Sequence, residues 1–362
     1  MTPMHTFASR AAAGFPSSHA ARTLPQRRAR MPARALYLGG SLLAALAGAA
    51  YAEPGHQFPA LSEADQQAIR AALPNRPRAS PRRPRRLLIF CLTEGYVHAS
   101  IPYANQALRE LGEVSGAYRA DVSEDPEVLS ATRLAPFDAV LLNNATHLQL
   151  SPAQRTALLQ FVNNGRGLVG IHAASDSFYT WPAGQELLGG IFNSHPWTAE
   201  DTVAVKLDDP GSPLTAAFGG HGFWVRDEIY QIDGPYSRER VHVLMSLDMA
   251  RPENARKPEQ IVRGDNDFPI AWLKREGKGR VFYTSLGHNA AIFETREFLQ
   301  HYLDGIQYAL GDLDADAAPS SALPAPTPAP APAGSSTSAP RRGGSGSSRR
   351  GWPARRAPAP TG

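Results

Sequence analysis

Short apolar runs alternate with amphipathic helical segments through the first half of the central region, and this alternation restricts the fold more than any other feature. Four candidate strands follow one another at 87–92, 118–122, 137–142 and 167–171; the first is a continuous apolar run, and the third and fourth are mostly apolar. Runs of this length are typical of strands buried on both faces. Helical spacing lies between them, over 101–111, 126–134 and 151–162. The pattern predicts βαβ units, and therefore an α/β fold with a mainly parallel, flavodoxin-like sheet covered by helices on both faces.

After residue 200 the pattern changes to strands without intervening helices. Candidate strands cover 202–207, 224–232, 241–247, 270–273 and 280–284. A closing helix is predicted over 294–310, because its apolar residues recur about once per helical turn. These elements complete one predicted domain over residues 86–312, which is long enough to bury a sizeable core.

The ends of the chain differ in composition from this domain. Residues 31–52 carry an arginine, then an apolar run, then Ala50-Tyr51-Ala52, which is the layout of a secretory signal peptide and its cleavage site. We therefore predict an N-terminal extension and signal over 1–52, with Met31 as an alternative start, and export to the periplasm or cell envelope. The apolar run is short and interrupted by glycines, so no stable membrane span is expected after cleavage.

Two further flanking segments are predicted from their composition. Residues 53–85 are interpreted as a linker rich in Pro and Arg, with a short helix near its start, and residues 313–362 as a disordered tail of Pro, Ala, Gly, Ser and Arg. The formal net charge of the 362-residue chain is +4, but residues 86–312 carry a net charge of −9. An acidic domain argues against a nucleic-acid partner, which requires a basic face.

Three loops at the carboxyl ends of predicted strands each contain a histidine. In doubly wound sheets ligands bind at these ends, and the loops carry His98, His147 and His172. The third loop begins Gly170-Ile171-His172-Ala173-Ala174, the small-residue layout of a nucleophile elbow. Imidazole at the elbow suits proton transfer or metal ligation near neutral pH better than acyl transfer. A histidine hydrogen-bonded structurally at a strand end is the alternative for His172.

Further polar residues that could join this site follow downstream. His195 stands in a polar-aromatic segment, Asp227-Glu228-Ile229-Tyr230 places two acids beside an aromatic residue, and His288 follows another predicted strand. Two histidines and an acid could bind a metal or supply a general acid and base. The sequence contains neither HExxH nor CxxC. Its one cysteine, Cys91, ends an apolar run, which favours a packed strand residue over a nucleophile and leaves no internal disulfide.

The region from about residue 86 to residue 311 resembles the ThuA-like (trehalose utilisation) family, which has the class I glutamine amidotransferase-like fold. The resemblance rests on the joint order of several segments: 95–102, 167–176, 181–182, 192–196, 227–230, 269–272 and 280–288. Two positions depart from the family pattern, because Ala99 stands where a polar or charged residue is usual and Phe268 where many members have histidine. The resemblance implies a carbohydrate ligand, through disaccharides and their oxidised keto forms.

These observations assign roles to ten residues. The predicted catalytic residues are His172, His195, His288, Asp227 and Glu228. The predicted substrate-binding residues are His98, Asp176, Trp181, Tyr230 and Tyr283. No cofactor is required by the sequence, but a divalent metal is left open, and its expected ligands are His172, His195 and Glu228.

The sequence therefore predicts an exported carbohydrate-active enzyme, a hydrolase, lyase or isomerase acting on a glycoside or keto-glycoside of the trehalose type. An envelope sugar dehydrogenase is a candidate partner, since exported family members often accompany such enzymes. The alternative is a non-catalytic carbohydrate-binding or partner-docking domain on the same scaffold. An enzyme requires its histidines and an acid in one pocket, whereas a binding module requires an open aromatic platform. Glutamine amidotransfer is disfavoured because the elbow has no cysteine.

Overall fold

Five parallel strands form one half of a nine-stranded sheet. The computed structural model describes residues 58–256, 258–322 and 329–332. The parallel strands are β1 Arg86–Phe90, β2 Arg119–Ser123, β3 Ala139–Asn143, β4 Gly167–Ile171 and β11 Gly279–Thr284. They pair in the order β2-β1-β3-β4-β11. Every residue of β3 and β4 is buried, as the mostly apolar runs predicted.

The antiparallel half of the sheet is built from residues beyond 200. Its strands are β6 Thr202–Leu207, β7 Phe223–Arg226, β9 His242–Leu247 and β10 Pro269–Glu276. The complete order is β2-β1-β3-β4-β11-β10-β9-β6-β7. Among the described strands, β11 alone joins the two halves, because it pairs with β4 on one side and with β10 on the other.

Helices cover both faces of the sheet, as predicted. They are α1 Glu63–Ala72, α2 Ile101–Ser115, α3 Ala131–Leu134, α4 Pro152–Asn163, α5 Pro182–Leu188 and α6 Arg296–Leu310. Buried residues of α1, α2 and α6 form one apolar cluster with the alternate strand residues Leu87 and Leu141. Those of α3, α4 and α5 form a second cluster with Leu88 and Val140. Alternation along the strands thus divides the core between the two faces.

The segment 224–232, predicted as one strand, is two strands in different sheets, and that prediction was wrong. The chain leaves β7 at Arg226 and enters β8, Ile229–Asp233, which pairs with β5, Ile191–Trp197, in a separate two-stranded sheet. The break falls at Asp227 and Glu228. Asp227 is fully buried, and both of its oxygens bind the backbone of a distant loop. That contact redirects the chain, and local periodicity cannot reveal it.

Two smaller differences also have local causes. The helix predicted over 126–134 is a 3-10 turn, Pro126–Leu129, followed by the short α3, because Ser130 between them is extended. The strand β5 was not predicted. Its sequence, IFNSHPW, contains Asn, Ser and Pro, which are unfavourable in strands, and its pairing with β8 shifts register twice.

Residues before β1 lie against α6. The side-chain oxygen of Gln307 accepts hydrogen bonds from the backbone N–H groups of Arg78 and Ala79, at 2.9 and 3.2 Å. Arg78 also pairs with the fully buried Asp304 at 2.9 Å. Residues 58–85, the described part of the segment interpreted as a linker, therefore pack on the domain. They belong to the same compact unit.

Part of the segment interpreted as a disordered tail also contacts the domain. Ala329 forms a β-bridge with Leu207, and the carbonyl of Pro332 accepts a hydrogen bond from Trp224 at 3.0 Å. The predicted extension and signal over 1–52 lie outside the described residues, as do 323–328 and 333–362. Within the described ranges, no helix has the length and apolar character needed to cross a membrane.

Candidate active site

His172 lies where β4 ends, on a backbone turn that few residues other than glycine adopt. Its φ is +49°, in the left-handed region. The turn is crowded, since a Cβ on Gly170 would lie 2.9 Å from side-chain atoms of Leu188 and Tyr283. The Tyr283 hydroxyl donates a hydrogen bond to the His172 carbonyl at 2.8 Å. Small neighbours and this hydrogen bond hold the elbow in place.

The imidazole of His172 is fixed in one tautomer by its backbone partner. Nδ1 lies 2.6 Å from the carbonyl oxygen of Ser285, at the end of β11. Because a carbonyl oxygen only accepts, Nδ1 carries the proton and Nε2 of the neutral ring carries the lone pair. The hydroxyl of Tyr230 donates to Nε2 at 2.7 Å. The side chain of His172 is fully buried, so this lone pair faces other protein groups.

Glu228 joins three of the predicted histidines. Its Oε1 lies 3.2 Å from Nδ1 of His288 and 3.6 Å from Nε2 of His172. Its Oε2 lies 3.3 Å from Nδ1 of His195. Nδ1 of His288 is also 3.3 Å from Nε2 of His172. The residues at the break between β7 and β8 thus connect the elbow to the loop after β11.

Asp227 positions this loop and does not contact the histidine rings directly. Its Oδ2 accepts from the backbone N–H of Gly287 and its Oδ1 from that of Asn289, both at 2.7 Å. The two residues flank His288. Burial raises the pKa of Asp227, while His172 and the two N–H groups act in the opposite direction.

His98 completes the group from the loop between β1 and α2. It is 3% exposed, and its ring packs edge-on against those of His172 and His288, with centroids 4.9 and 5.2 Å apart. Its Nε2 lies 3.5 Å from the Tyr230 hydroxyl. Burial, followed by the neighbouring His172 and His288, lowers the pKa of His98 to about 2. This ring is therefore neutral at ordinary pH, with a lone pair on one of its two nitrogens.

Within the cluster, Glu228 most readily carries a negative charge and His288 most readily carries a positive charge. Burial would raise the pKa of Glu228, but the neighbouring His172 and His288 outweigh it and hold that pKa well below its usual range. Burial acts to lower the pKa of His288, but the Glu228 carboxylate raises it overall. Burial and Glu228 raise the pKa of Tyr230, so its hydroxyl keeps its proton. The cluster therefore contains a carboxylate, proton donors and imidazole nitrogens that carry a lone pair.

His195 lies at the rim of the cluster, with half of its side chain exposed. Its ring stacks on that of Phe192, with centroids 6.1 Å apart. Both residues line a surface depression of about 450 Å³, whose other lining residues are Asn193, Ser194, Pro196 and Gln260. Because His195 also contacts Glu228, the depression adjoins the buried group.

The family model described as ThuA, trehalose utilisation, matches residues 86–309, more than half of the chain. The chain belongs to the ThuA family. A ThuA-like protein from Bacteroides uniformis is 27% identical with a TM-score of 0.51, and the match covers 65% of this chain and 94% of that one. Comparison with curated proteins gave no significant match.

A second ThuA-like structure supports the same fold. The protein from Parabacteroides merdae is 18% identical with a TM-score of 0.51, and the match covers 65% of this chain and 93% of that one. At this identity the likeness shows the fold alone. Together these findings confirm the family resemblance and the α/β fold, and they support a carbohydrate-related role in general terms.

Cys91 of this ThuA-family protein lies apart from the elbow. The thiol is 1% exposed. Burial raises its pKa to about 12, against the opposing effect of Asn105. A protonated, buried thiol is a poor nucleophile. The predicted structural role of this residue agrees with its environment.

Three of the predicted substrate-binding residues are not brought into the cluster. Asp176 pairs with His147 at 3.0 Å, and burial raises the pKa of Asp176 to about 6 against the effect of His147. Trp181 packs edge-on against Phe178 in the core. Tyr283 lies beneath the elbow and binds its carbonyl. His98 and Tyr230, the other two, are members of the cluster.

The metal-capable group differs in one respect from the predicted ligand set. His98, His172, Glu228 and His288 offer ligand atoms that all lie within 4.8 Å of one another. The predicted set had His195 in place of His98 and His288. Sequence reasoning also missed Ser285, which acts through its carbonyl oxygen. A backbone acceptor leaves no side-chain signal, so no sequence pattern could have identified it.

Proposed function

We propose that this ThuA-family protein is an exported carbohydrate-active enzyme that acts on a keto-glycoside of the trehalose type. One observation carries the proposal: three histidines and a carboxylate offer nitrogen and oxygen atoms within 4.8 Å of one another, and a tyrosine hydroxyl lies 2.7 Å from one of the histidines, beside a surface depression. Convergent ionisable groups with perturbed pKa values are typical of active sites. A binding module would require an open aromatic platform, but Trp181 and Trp197 are buried in the core.

In the proposed reaction, a base of the protein removes a proton from the carbon next to the keto group of the substrate. A keto group acidifies the neighbouring C–H bond, so a base is needed for the proton and a donor for the enolate oxygen that forms. Glu228 and His288 are the partly accessible members of the cluster, with side chains 10% and 20% exposed. We assign the proton transfers to this pair. His172 is fully buried, and its Nε2 accepts a hydrogen bond from the Tyr230 hydroxyl, which keeps its proton.

Turnover of a keto-disaccharide tests the proposal. We expect wild-type protein to convert 3-keto-trehalose and Glu228→Gln to lose at least about 100-fold in rate, since general acid–base groups contribute that much. His172→Ala should also abolish turnover while the protein remains folded by circular dichroism. Asp233→Asn, a change of an exposed carboxylate outside the cluster, is the control. Full activity of Glu228→Gln and His172→Ala would disprove the mechanism.

Two parts of the proposal concern the cellular setting. The layout of residues 31–52 supports export to the periplasm or cell envelope, and cell fractionation with detection of the mature N-terminus tests it. A keto-sugar substrate must be supplied by an oxidising enzyme, so an envelope sugar dehydrogenase is the proposed partner. Deletion of such a dehydrogenase should remove the substrate without altering activity on added keto-disaccharide.

A further inference from the structure

We infer that His98, His172, Glu228 and His288 bind a divalent transition-metal cation, with Zn²⁺ the best fit. Three imidazoles and one carboxylate are donors that zinc accepts, and they are also found around other first-row divalent metals. The inference concerns binding, so it stands whether or not the keto-glycoside proposal is correct. Four observations support it: spacing, tautomer, support of the ligands and charge.

The distances between three of the donor atoms match the distance between two ligands of a tetrahedral metal ion. The distances are 3.3 Å between His172 Nε2 and His288 Nδ1, 3.2 Å between His288 Nδ1 and Glu228 Oε1, and 3.6 Å between Glu228 Oε1 and His172 Nε2. Metal–ligand bonds of about 2.0–2.1 Å place two tetrahedral ligands about 3.4 Å apart. The three atoms therefore already lie at ligand spacing. A ring nitrogen of His98 is the fourth donor, within 4.8 Å of the rest.

The tautomer of His172 leaves a lone pair on Nε2, the nitrogen that faces the other proposed ligands. Metal-bound histidines usually donate the N–H of the other ring nitrogen to a carbonyl or carboxylate, which fixes the ring and makes it a better ligand. Nδ1 of His172 makes this hydrogen bond with the Ser285 carbonyl at 2.6 Å. Nε2 of His172, which lies 3.3 Å from Nδ1 of His288 and 3.6 Å from Oε1 of Glu228, is therefore the ring nitrogen that keeps its lone pair.

The loops that carry the ligands are held from outside the cluster. Asp227 fixes the backbone on both sides of His288. The hydroxyl of Ser100, two residues after His98, donates to the carbonyl of Gly287 at 2.7 Å. The loops of His98 and His288 are therefore tied to each other. Such support from groups that do not touch the metal is typical of metal sites.

The charge of the neighbourhood also favours a cation. Asp227 and Glu228 are adjacent carboxylates, 0% and 8% exposed, and no Lys or Arg side chain pairs with either among the described residues. Buried carboxylates require compensating charge. His288 now provides it for Glu228, and a dication bound to both residues would take over that role. The Tyr230 hydroxyl, which now donates to Nε2 of His172, would have to turn to another acceptor.

Metal analysis of the full chain, purified without a histidine tag, tests the inference. We expect about one equivalent of zinc to remain after dialysis. After chelation, Zn²⁺ should rebind in competition with a chromophoric chelator, and Co²⁺ should give the visible absorption of a tetrahedral site with nitrogen and oxygen ligands. Failure of the wild-type protein to bind either ion would overturn the inference.

Matched variants distinguish these four ligands from other histidines. Glu228→Gln, His288→Ala and His98→Ala should each weaken Zn²⁺ binding at least tenfold, since even outer-shell changes cost about that much. His147→Ala, in the separate pair with Asp176, should retain the wild-type affinity, whereas His195→Ala, which contacts Glu228 from the rim, should weaken binding less than the ligand variants do. Circular dichroism establishes that each variant is folded. Wild-type affinity in all three ligand variants, or loss of zinc only in His195→Ala, contradicts the assigned ligands.

The outcome is separable from that of the proposed function. Turnover of 3-keto-trehalose by fully chelated protein, with no zinc rebound, would leave the enzyme proposal intact and remove any role of the cation in the reaction. Stoichiometric zinc in a protein that converts no keto-disaccharide would support the metal site and count against the enzyme.

Discussion

At the scale of single residues, His172 shows how a strained position is kept in place. A residue other than glycine in a sparsely populated backbone region costs of order 1–3 kcal/mol, so the surroundings must compensate. Here they do so twice: Tyr283 holds the backbone carbonyl and Ser285 holds the ring. The elbow therefore depends on Tyr283 in β11 and on Ser285 directly after it, both more than 100 positions further along the chain.

Removing the hydroxyl beneath the elbow should destabilise the protein. Tyr283→Phe removes the 2.8 Å hydrogen bond to the buried His172 carbonyl, which keeps only a 3.3 Å hydrogen bond from Ser175. It also removes the 3.1 Å hydrogen bond to the Ser175 hydroxyl. We expect the free energy of unfolding to fall by about 1–3 kcal/mol, measured by urea denaturation. Tyr308→Phe is the control, because its hydroxyl makes only a 3.5 Å contact. An equal loss in both variants would show that the elbow contact is not special.

Replacement of Asp227 by asparagine should destabilise the protein. Asparagine offers one acceptor oxygen where the two N–H groups of Gly287 and Asn289 require two. We expect Asp227→Asn to lower the free energy of unfolding by about 1–3 kcal/mol and to lower zinc affinity through movement of His288. Asp233→Asn, at an exposed site, should change stability by less than about 0.5 kcal/mol. Unchanged stability and zinc affinity in Asp227→Asn would contradict the positioning role.

At the scale of elements, the sequence predicted the central parallel strands well because β1, β3 and β4 are buried on both faces and read as largely apolar runs. It failed at the break between β7 and β8, where a buried carboxylate binds a loop 60 positions away. The same limit applies to the site. His172, Glu228, His288 and Tyr230 were predicted from strand ends and family motifs. The choice of His98 over His195 depends on how loops fold over one another, and residue spacing does not contain that information.

Helix α6 should give the protein a specific sensitivity to acid. His301 on this helix is fully buried, and burial lowers its pKa to about 4 despite the hydrogen bond from Nδ1 to the Leu214 carbonyl. Between about pH 6.5 and 4 the unfolded chain takes up a proton that the folded chain does not. Stability is therefore unaffected by this group above about pH 6.5 and falls as the pH decreases through this window.

Urea denaturation at several pH values measures the effect. His301 should account for a slope of up to about 1.4 kcal/mol per pH unit between about pH 6 and 5. His301→Asn keeps a donor for the Leu214 carbonyl but does not titrate. It should lose stability less steeply than the wild-type protein as the pH falls. Parallel pH profiles for the two proteins would mean that His301 is not the responsible group.

At the scale of the whole molecule, the family-matched region is smaller than the folded unit. The match begins at residue 86, but α1 buries Ile69 completely. Arg85 also pairs with Asp312 at 2.5 Å, and both side chains are almost fully buried. Residues 58–85 thus cover one face of α6 and balance carboxylates that would otherwise be buried without a partner.

A chain that starts at residue 86 should consequently be much less stable than one that starts at residue 58. Breaking a buried ion pair by removing one partner costs about 3–5 kcal/mol, and the shorter chain loses the partners of both Asp304 and Asp312. We expect a markedly lower melting temperature, or insoluble protein, for the shorter chain. Equal melting temperatures for the two chains would show that the segment is dispensable.

The position of β11 has a consequence for the protein during its synthesis. Until residues 279–284 leave the ribosome, the strands before it form two half-sheets that no strand pairing joins. The edges of β4 and β10 are then bare, and unpaired strand edges are templates for association with other chains. A chain that ends before residue 279 would therefore be prone to aggregate and would also lack His288. Translation speed near the end of the message and the availability of chaperones should therefore influence the yield of soluble protein more than changes in the first half of the gene.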